Sequence, residues 1–400
     1  MLRFSGLLGI VVFLFIAYLL SSNKKNIPLR TVIVGIALQF GIAVFMLKTY
    51  VGVQIFKAVN KGFVSLLNYS NYGARFVFGS LVESEKIGAQ VAFQVLPLII
   101  FVSAVMGVLL YFGVIQFIIK ILARLFYKTL NITGVEAFTS SLLIFMGIET
   151  ITGVKDYIRN MNRSRLFTLM TVFMSTIAGS VMAAYVSFGA EAGHLLTASL
   201  MSAPAAIAIS KIIIPDEKKE EEESLDKIKI KREENNVIEA VANGTQDGLN
   251  LALQVGAMLI AFVSIIYLLN DIVGLSGMTL EKLMGYLFSP VAFLIGISPP
   301  EAVEVGQLLG IKTVFNEFIS YAQLQSHIAK ETLSPRSIAI ATYALCGFAN
   351  FGSIGIILGG IGGIAPEKKP MAAQLAIKSL VAGLLAAFMT ASVVSVLIVS

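Results

Sequence analysis

The sequence predicts an all-α polytopic membrane protein, with about eight transmembrane helices, two re-entrant helical hairpins, interfacial helices and internal repeats. Three observations carry this. Of 400 residues, 56% are hydrophobic and only 14% charged, and the mean hydropathy is +0.84. A soluble domain needs far more surface charge than that. Apolar runs long enough to cross about 30 Å of hydrocarbon recur along the whole chain. No ten-residue alternation of apolar and polar residues suggests a membrane β-barrel.

The runs fall at Leu7–Leu20, Thr31–Lys48, Gln94–Val114, Leu166–Phe188, Leu195–Ile214, Leu249–Leu269, Ser337–Ile357 and Leu375–Val399. The first follows a lone Arg3 and has no small-residue cleavage signature. Lys24, Lys25 and Arg30 come after it. It is therefore expected to be a membrane helix with the basic loop inside and the N-terminus outside. Val51–Leu67 and Tyr111–Leu130 place Lys57, Lys61, Lys120, Arg124 and Lys128 on one side of apolar helices, as helices lying along a membrane surface do. The net charge of +6 is scattered in short clusters between apolar runs, so no nucleic-acid partner is expected. Cys346 is the single cysteine, and His194 and His327 are the only histidines; neither a disulfide nor a Cys/His metal cluster is expected.

Four regions follow. Residues 1–92 form an N-terminal scaffold, and 93–215 a first transport half. Residues 216–240, containing KKEEEE, form a charged soluble linker. Residues 241–400 form a second half. Each half holds one segment too short and polar to span, Asn131–Ile158 and Ser298–Gln325, with an acid in a Gly-interrupted middle. Such segments suit re-entrant hairpins, since irregular backbone at membrane depth must line a cavity or be buried in protein. After each comes an Arg-Ser pair and a long helix. Aligning Arg163-Ser164 with Arg336-Ser337 sets Thr176, Ile177 and Ser180 against Ala349, Asn350 and Ser353. A hairpin followed by an interrupted helix, occurring twice, marks a transporter built from repeats, with its site where the halves meet.

Glu149 and Glu317 are the strongest candidates for chemistry. A carboxylate at membrane depth costs roughly 2.5–3.5 kcal/mol on insertion scales, and two at matching places suggest use. A carboxylate accepts two hydrogen bonds from a hydroxyl-rich solute and also takes a proton or sodium ion. The bland alternative is a surface pair with Lys155 or Lys312. Asn316 and Asn350 offer donors and acceptors, Ser353 shares a helix face with Asn350, and Phe348 either stacks on a ring or belongs to the core. Asn250 and Gln254 read as a helix–helix hydrogen-bonding pair. The Gly359–Lys369 stretch, GGIGGIAPEKK, lacks the Gly-Lys-Ser/Thr ending of a phosphate loop and reads as a closely packed helix end. No nucleophile–base arrangement points to an enzyme.

The motifs NGTQDGLNLALQVGAMLIAFVSIIYLLN (Asn243–Asn270), GYLFSPVAFLIGI (Gly285–Ile297), VGQLLGIKTVFNEFISY (Val305–Tyr321) and RSIAIATYALCGFANFGSIGI (Arg336–Ile356) resemble the concentrative nucleoside transporter family. TIAGSVMAAYVSFG (Thr176–Gly189) and HLLTASLMSAPAAIAISKIIIP (His194–Pro215) extend the resemblance over most of the chain. It implies a homotrimer in the cytoplasmic membrane that imports nucleosides with sodium or protons, with no other cofactor. By position, Glu317, Asn350 and Ser353 resemble the ribose-binding set and Phe348 a base or sugar contact. Glu149 resembles the acid of the first hairpin, and Val181 an apolar contact to the base. Asn316, Gly147 and Ile148 are secondary candidates. The first hairpin departs from the family's Gly-Gln-Ser/Thr-Glu, reading Met146-Gly147-Ile148-Glu149. Leu142 stands where the family's sodium site has an Asn, leaving Phe145, Thr176 and Ile177 as backbone ligands. This favours proton coupling and leaves the base preference, or another polar solute, open.

Overall fold

A computed structural model describes residues 2–83, 90–147, 155–216, 225, 228, 234–275 and 277–398. All regular structure among them is helical. The helices are α1 (Leu2–Leu19), α2 (Leu29–Lys48), α3 (Tyr50–Phe78), α4 (Leu96–Tyr111, preceded by one wide turn from Val91), α5 (Val114–Leu130), α6 (Gly134–Leu142) and α7 (Lys155–Arg159). Then come α8 (Arg163–Ser175), α9 (Gly179–Ser187), α10 (Ala192–Ile213), α11 (Val237–Gly274), α12 (Leu280–Leu294) and α13 (Ala302–Val314). The chain closes with α14 (Glu317–Ala329), α15 (Pro335–Leu345), α16 (Phe351–Ile364) and α17 (Lys369–Leu397).

Among the described residues, seven stretches are long and apolar enough to cross a membrane. The remaining expected span, Ser337–Ile357, is two helices, α15 and α16. The Leu166–Phe188 run is likewise split into α8 and α9. The expected Val51–Leu67 helix runs on to Phe78, and the Tyr111–Leu130 segment is cut at Gly113, whose φ of +78° ends α4 and starts α5 at Val114. The Leu249–Leu269 run is the middle of the 38-residue α11, about 57 Å long at 1.5 Å per residue, so it overshoots the bilayer. Sequence reading passed over α12 because Glu281 and Lys282 interrupt its apolar pattern. It packs along α13 at Gly285, where an added Cβ would come within 2.9 Å of the Val303 carbonyl oxygen.

Two polar clusters fix the hairpin bases. At one face, the buried Lys211 ammonium on α10 meets Glu136 Oε1 at 2.6 Å and Asp216 Oδ2 at 2.8 Å. It also donates to Ser164 Oγ at 3.2 Å. Glu136 in turn closes a capping box with Thr133 at the start of α6. A buried charge is costly unless it is paired or hydrogen-bonded, so these contacts tie the base of the first hairpin to α8 and α10. At the other face Glu301 accepts hydrogen bonds from Ser298, Ser334 and Ser337, tying the base of α13 to the start of α15. Arg336 donates to the Gly296 and Ser395 carbonyls there.

These clusters also give direction. Ser22, in the basic loop 20–28, donates to the Ile213 carbonyl beside Lys211. Lys368, beyond the end of α16, donates to the Met161 carbonyl. The first hairpin therefore enters from the face carrying Lys24, Lys25 and Arg30. Glu301 and Arg336 lie with Leu2 and Ser395 near the opposite face, from which the second hairpin enters. The two repeats are inverted relative to each other.

Candidate functional site

Both long helices break where the sequence supplies local competitors for backbone hydrogen bonds. In α8, Ser175 Oγ and Thr176 Oγ1 donate to the Val172 carbonyl at 3.1 and 2.8 Å, which favours ending a helix. The chain is extended at Thr176 and restarts after Ala178. In the second repeat Gly347 takes φ +134°, a conformation open to glycine. An added Cβ there would sit 2.9 Å from the Met174 and Ser175 carbonyl oxygens. The two breaks thus cross in direct contact.

The second break meets the tip of the second hairpin. The hairpin turns over Phe315-Asn316, and Ser320 Oγ reaches back to the Leu308 carbonyl at 2.9 Å. Asn316 caps α14 through Ile319 N, and Asn350 caps α16 through Ser353 N. Two helix N-termini therefore point at one spot, and the acid Glu317 occupies the first turn of α14, where the helix dipole favours a negative charge. Glu317 is 2% exposed. Tyr185 Oη donates to its Oε1 at 2.8 Å and Asn350 Nδ2 to its Oε2 at 2.6 Å. A surface pair with Lys312 does not form, because the Lys312 ammonium is buried against the Ala344 carbonyl at 2.9 Å.

A cavity of about 390 Å³ lies over this carboxylate. Gly147, Val181, Asn316, Glu317, Phe348, Asn350 and Ser353 line it, so the structure brings these predicted residues together. Glu149 and Ile148 lie outside the described residues. Phe348 is half-buried against Phe173, with ring centres 5.4 Å apart, and both rings face the cavity. Asn250 and Gln254 line the cavity rather than joining two helices, and the partner of Asn250 is Gln246 on its own helix. Asp247, Gly359 and Gly360 extend the lining toward the face with the basic loop.

The three cation candidates lie apart from this lining, at the first junction. Thr176 Oγ1 donates to the Leu143 carbonyl at 2.9 Å, Gly179 N to the Phe145 carbonyl at 3.0 Å, and Ile177 N meets Ser199 Oγ at 3.4 Å. Leu142 is a buried hydrocarbon beside them. Sequence reasoning missed Tyr185, because a tyrosine within an apolar run reads as core. Its ring stacks on Tyr321 with centres 4.1 Å apart, which aims the hydroxyl at Glu317. The NEF motif marked the acid, but nothing local marked a partner 132 residues away.

Inverted repeats, two broken helices and a buried carboxylate in a cavity where the repeats meet define a secondary transporter. The family model "Na+ dependent nucleoside transporter C-terminus" matches residues 194–395, its N-terminal counterpart residues 8–81, and a "Nucleoside recognition" model residues 92–192. The chain is 38% identical to the putative nucleoside permease NupX of Escherichia coli, covering 97% of each chain. It is 35% identical to the nucleoside permease NupC of Helicobacter pylori, covering 98% of this chain and 97% of that one. A solved structure of CNTnw in an inward-facing substrate-bound state superposes with a TM-score of 0.92 at 35% identity, covering 99% of this chain and 98% of that one. The chain belongs to the concentrative nucleoside transporter family.

Proposed function

We propose that the protein is a cation-coupled symporter importing nucleosides by alternating access. The observation that carries this reading is Glu317, buried between two neutral donors at converging helix N-termini, facing a cavity. A ribose diol suits it, because a carboxylate accepts two hydroxyl donors at once. Asn350 and Ser353 complete the ribose contacts, with Asn316 and Gly147 alongside. The Phe348–Phe173 pair offers ring faces to the base, and Val181 an apolar edge. Glu149 and Ile148 keep their roles from the sequence. The lining that reaches Asp247 and Gly359 supports an inward-open state. The homotrimer carried over from the family resemblance is checked by the mass of the detergent-solubilised assembly.

For the coupling ion we favour the proton. The Leu142 side chain offers no oxygen, and the Leu142 and Phe145 carbonyls already accept from Phe145 N and Gly179 N. Sodium is the second reading, supported by the match to the Na+ dependent nucleoside transporter family model and by the clustered oxygens at Phe145 and Thr176. Uptake of radiolabelled uridine and inosine into proteoliposomes, under sodium and pH gradients applied separately, tests both. A pH gradient alone is expected to drive accumulation; a response to sodium alone favours the second reading. Absence of gradient-dependent uptake of any nucleoside rejects the symporter. The altered first hairpin also suits a related polar solute, such as a free base or modified nucleoside, and competition by ribose-lacking analogues separates the two.

A further inference from the structure

The two hairpin–helix junctions are built alike, but the backbone carbonyls that join them come from opposite partners. At the first, the hairpin supplies acceptors, the Leu143 and Phe145 carbonyls, and the broken helix supplies neutral donors, Thr176 Oγ1 and Gly179 N. At the second, the broken helix supplies acceptors, the Thr342 and Ala344 carbonyls at the end of α15, and the hairpin supplies donors. One donor is Tyr321 Oη, 2.8 Å from the Thr342 carbonyl. The other is the Lys312 ammonium, 2.9 Å from the Ala344 carbonyl. Lys312 is fully buried at 0% exposure. A positive charge at a helix C-terminus is favoured by the dipole, and one buried away from water must be held by oxygens.

We propose that Lys312 is a tethered cation that closes the second junction, doing by covalent attachment what a mobile ion bound by carbonyl oxygens would do. Lys312 precedes Glu317 by five residues, and Ala344 precedes Asn350 by six. The ammonium therefore clamps together the two segments that carry the carboxylate and its amide partner. It acts as a positioning residue, holding the solute site assembled without an ion of its own. The driving ion then acts elsewhere than at this junction.

The test replaces the tethered cation with a free one. Uridine binding is measured calorimetrically on the purified full chain in detergent, with methylammonium chloride or tetramethylammonium chloride at equal ionic strength. Lys312→Ala is expected to bind at least tenfold more weakly than the parent protein. Millimolar methylammonium, small enough for the vacated space, is expected to restore affinity at least threefold, and tetramethylammonium not at all. The parent protein should respond to neither. A passive packing role would not produce this selective rescue. Thermal unfolding gives a second readout: methylammonium should raise the midpoint of Lys312→Ala and leave the parent's unchanged. The calorimetric arm rests on the nucleoside reading and the unfolding arm does not, so uridine failing to bind even the parent rejects that reading alone. If Lys312→Ala does not accumulate, Lys312→Met, of similar length but without charge, should lose uridine binding while Lys312→Arg keeps it. Unchanged affinity in the neutral variants, or no preference for methylammonium over tetramethylammonium, overturns the proposal.

Discussion

The first junction is neutral and lined with oxygens; the second is held by a buried ammonium and faces a buried carboxylate. They sit on inverted copies of one motif, and their broken helices touch at Gly347 and Met174–Ser175. The difference separates two tasks. The second junction holds the Glu317–Asn350–Tyr185 set in place with bonds already made. The first has no such charge among its described residues, which suits a part whose bonding changes during transport. Disturbing the second junction should therefore affect solute binding, and disturbing the first should affect coupling.

Among the groups that surround the carboxylate, the largest expected effect is at Asn350. Asn350→Ala removes both the 2.6 Å bond to Glu317 and the cap of α16. A hydrogen bond to a charged group is worth about 1.5–3 kcal/mol and a cap about 1 kcal/mol, so uridine affinity should fall roughly 100-fold by calorimetry. A loss of under fivefold would break the assignment of binding to the second junction. Gly347→Ala comes next. The left-handed φ and the 2.9 Å approach to backbone oxygens make a side chain strained there, at about 1–3 kcal/mol. The unfolding midpoint should drop by several degrees, and an unchanged midpoint would mean that the breaks do not bear on each other.

Tyr185→Phe keeps the stacked ring and deletes one donor to Glu317. Uridine affinity should fall about tenfold, equivalent to about 1.4 kcal/mol. A loss exceeding that of Asn350→Ala would move the centre of binding toward the first repeat. Thr176→Val preserves shape and removes the bond to the Leu143 carbonyl. Its uridine affinity should stay within about fivefold, as a net neutral hydrogen bond is worth only about 1 kcal/mol. Its gradient-driven uptake should fall more than its affinity; the reverse pattern would erase the division of tasks.

Much of this was legible beforehand because membrane physics is strict. Apolar runs gave most spans, and the Arg-Ser register brought the breaks at Thr176 and Asn350 into correspondence. The NEF and GFANFGS motifs located Glu317, Asn350 and Ser353 at the cavity. What sequence could not show was pairing across distance. Tyr185 and Glu317 meet only because α9 and α14 approach through tertiary packing. Lys312 read as a possible surface partner because a lysine beside an acid usually is one. Its burial depends on α15 ending at Leu345, and local pattern placed that span's end twelve residues later. Glu136 and Lys211 likewise pair only through tertiary packing, 75 residues apart yet 2.6 Å apart in space. The sequence marks Asn316 and Asn350 for their donors and acceptors toward a solute, whereas each also caps the helix that presents the site.

The central claim is that the Glu317 carboxylate is where the solute binds. Uridine binding to Glu317→Gln, measured by calorimetry on protein that elutes as the same assembly as the parent, tests this most directly. Glutamine keeps the size and loses the charge and one acceptor, so binding should become undetectable, with uptake in proteoliposomes lost alongside it. Affinity and uptake near those of the parent protein would contradict the account.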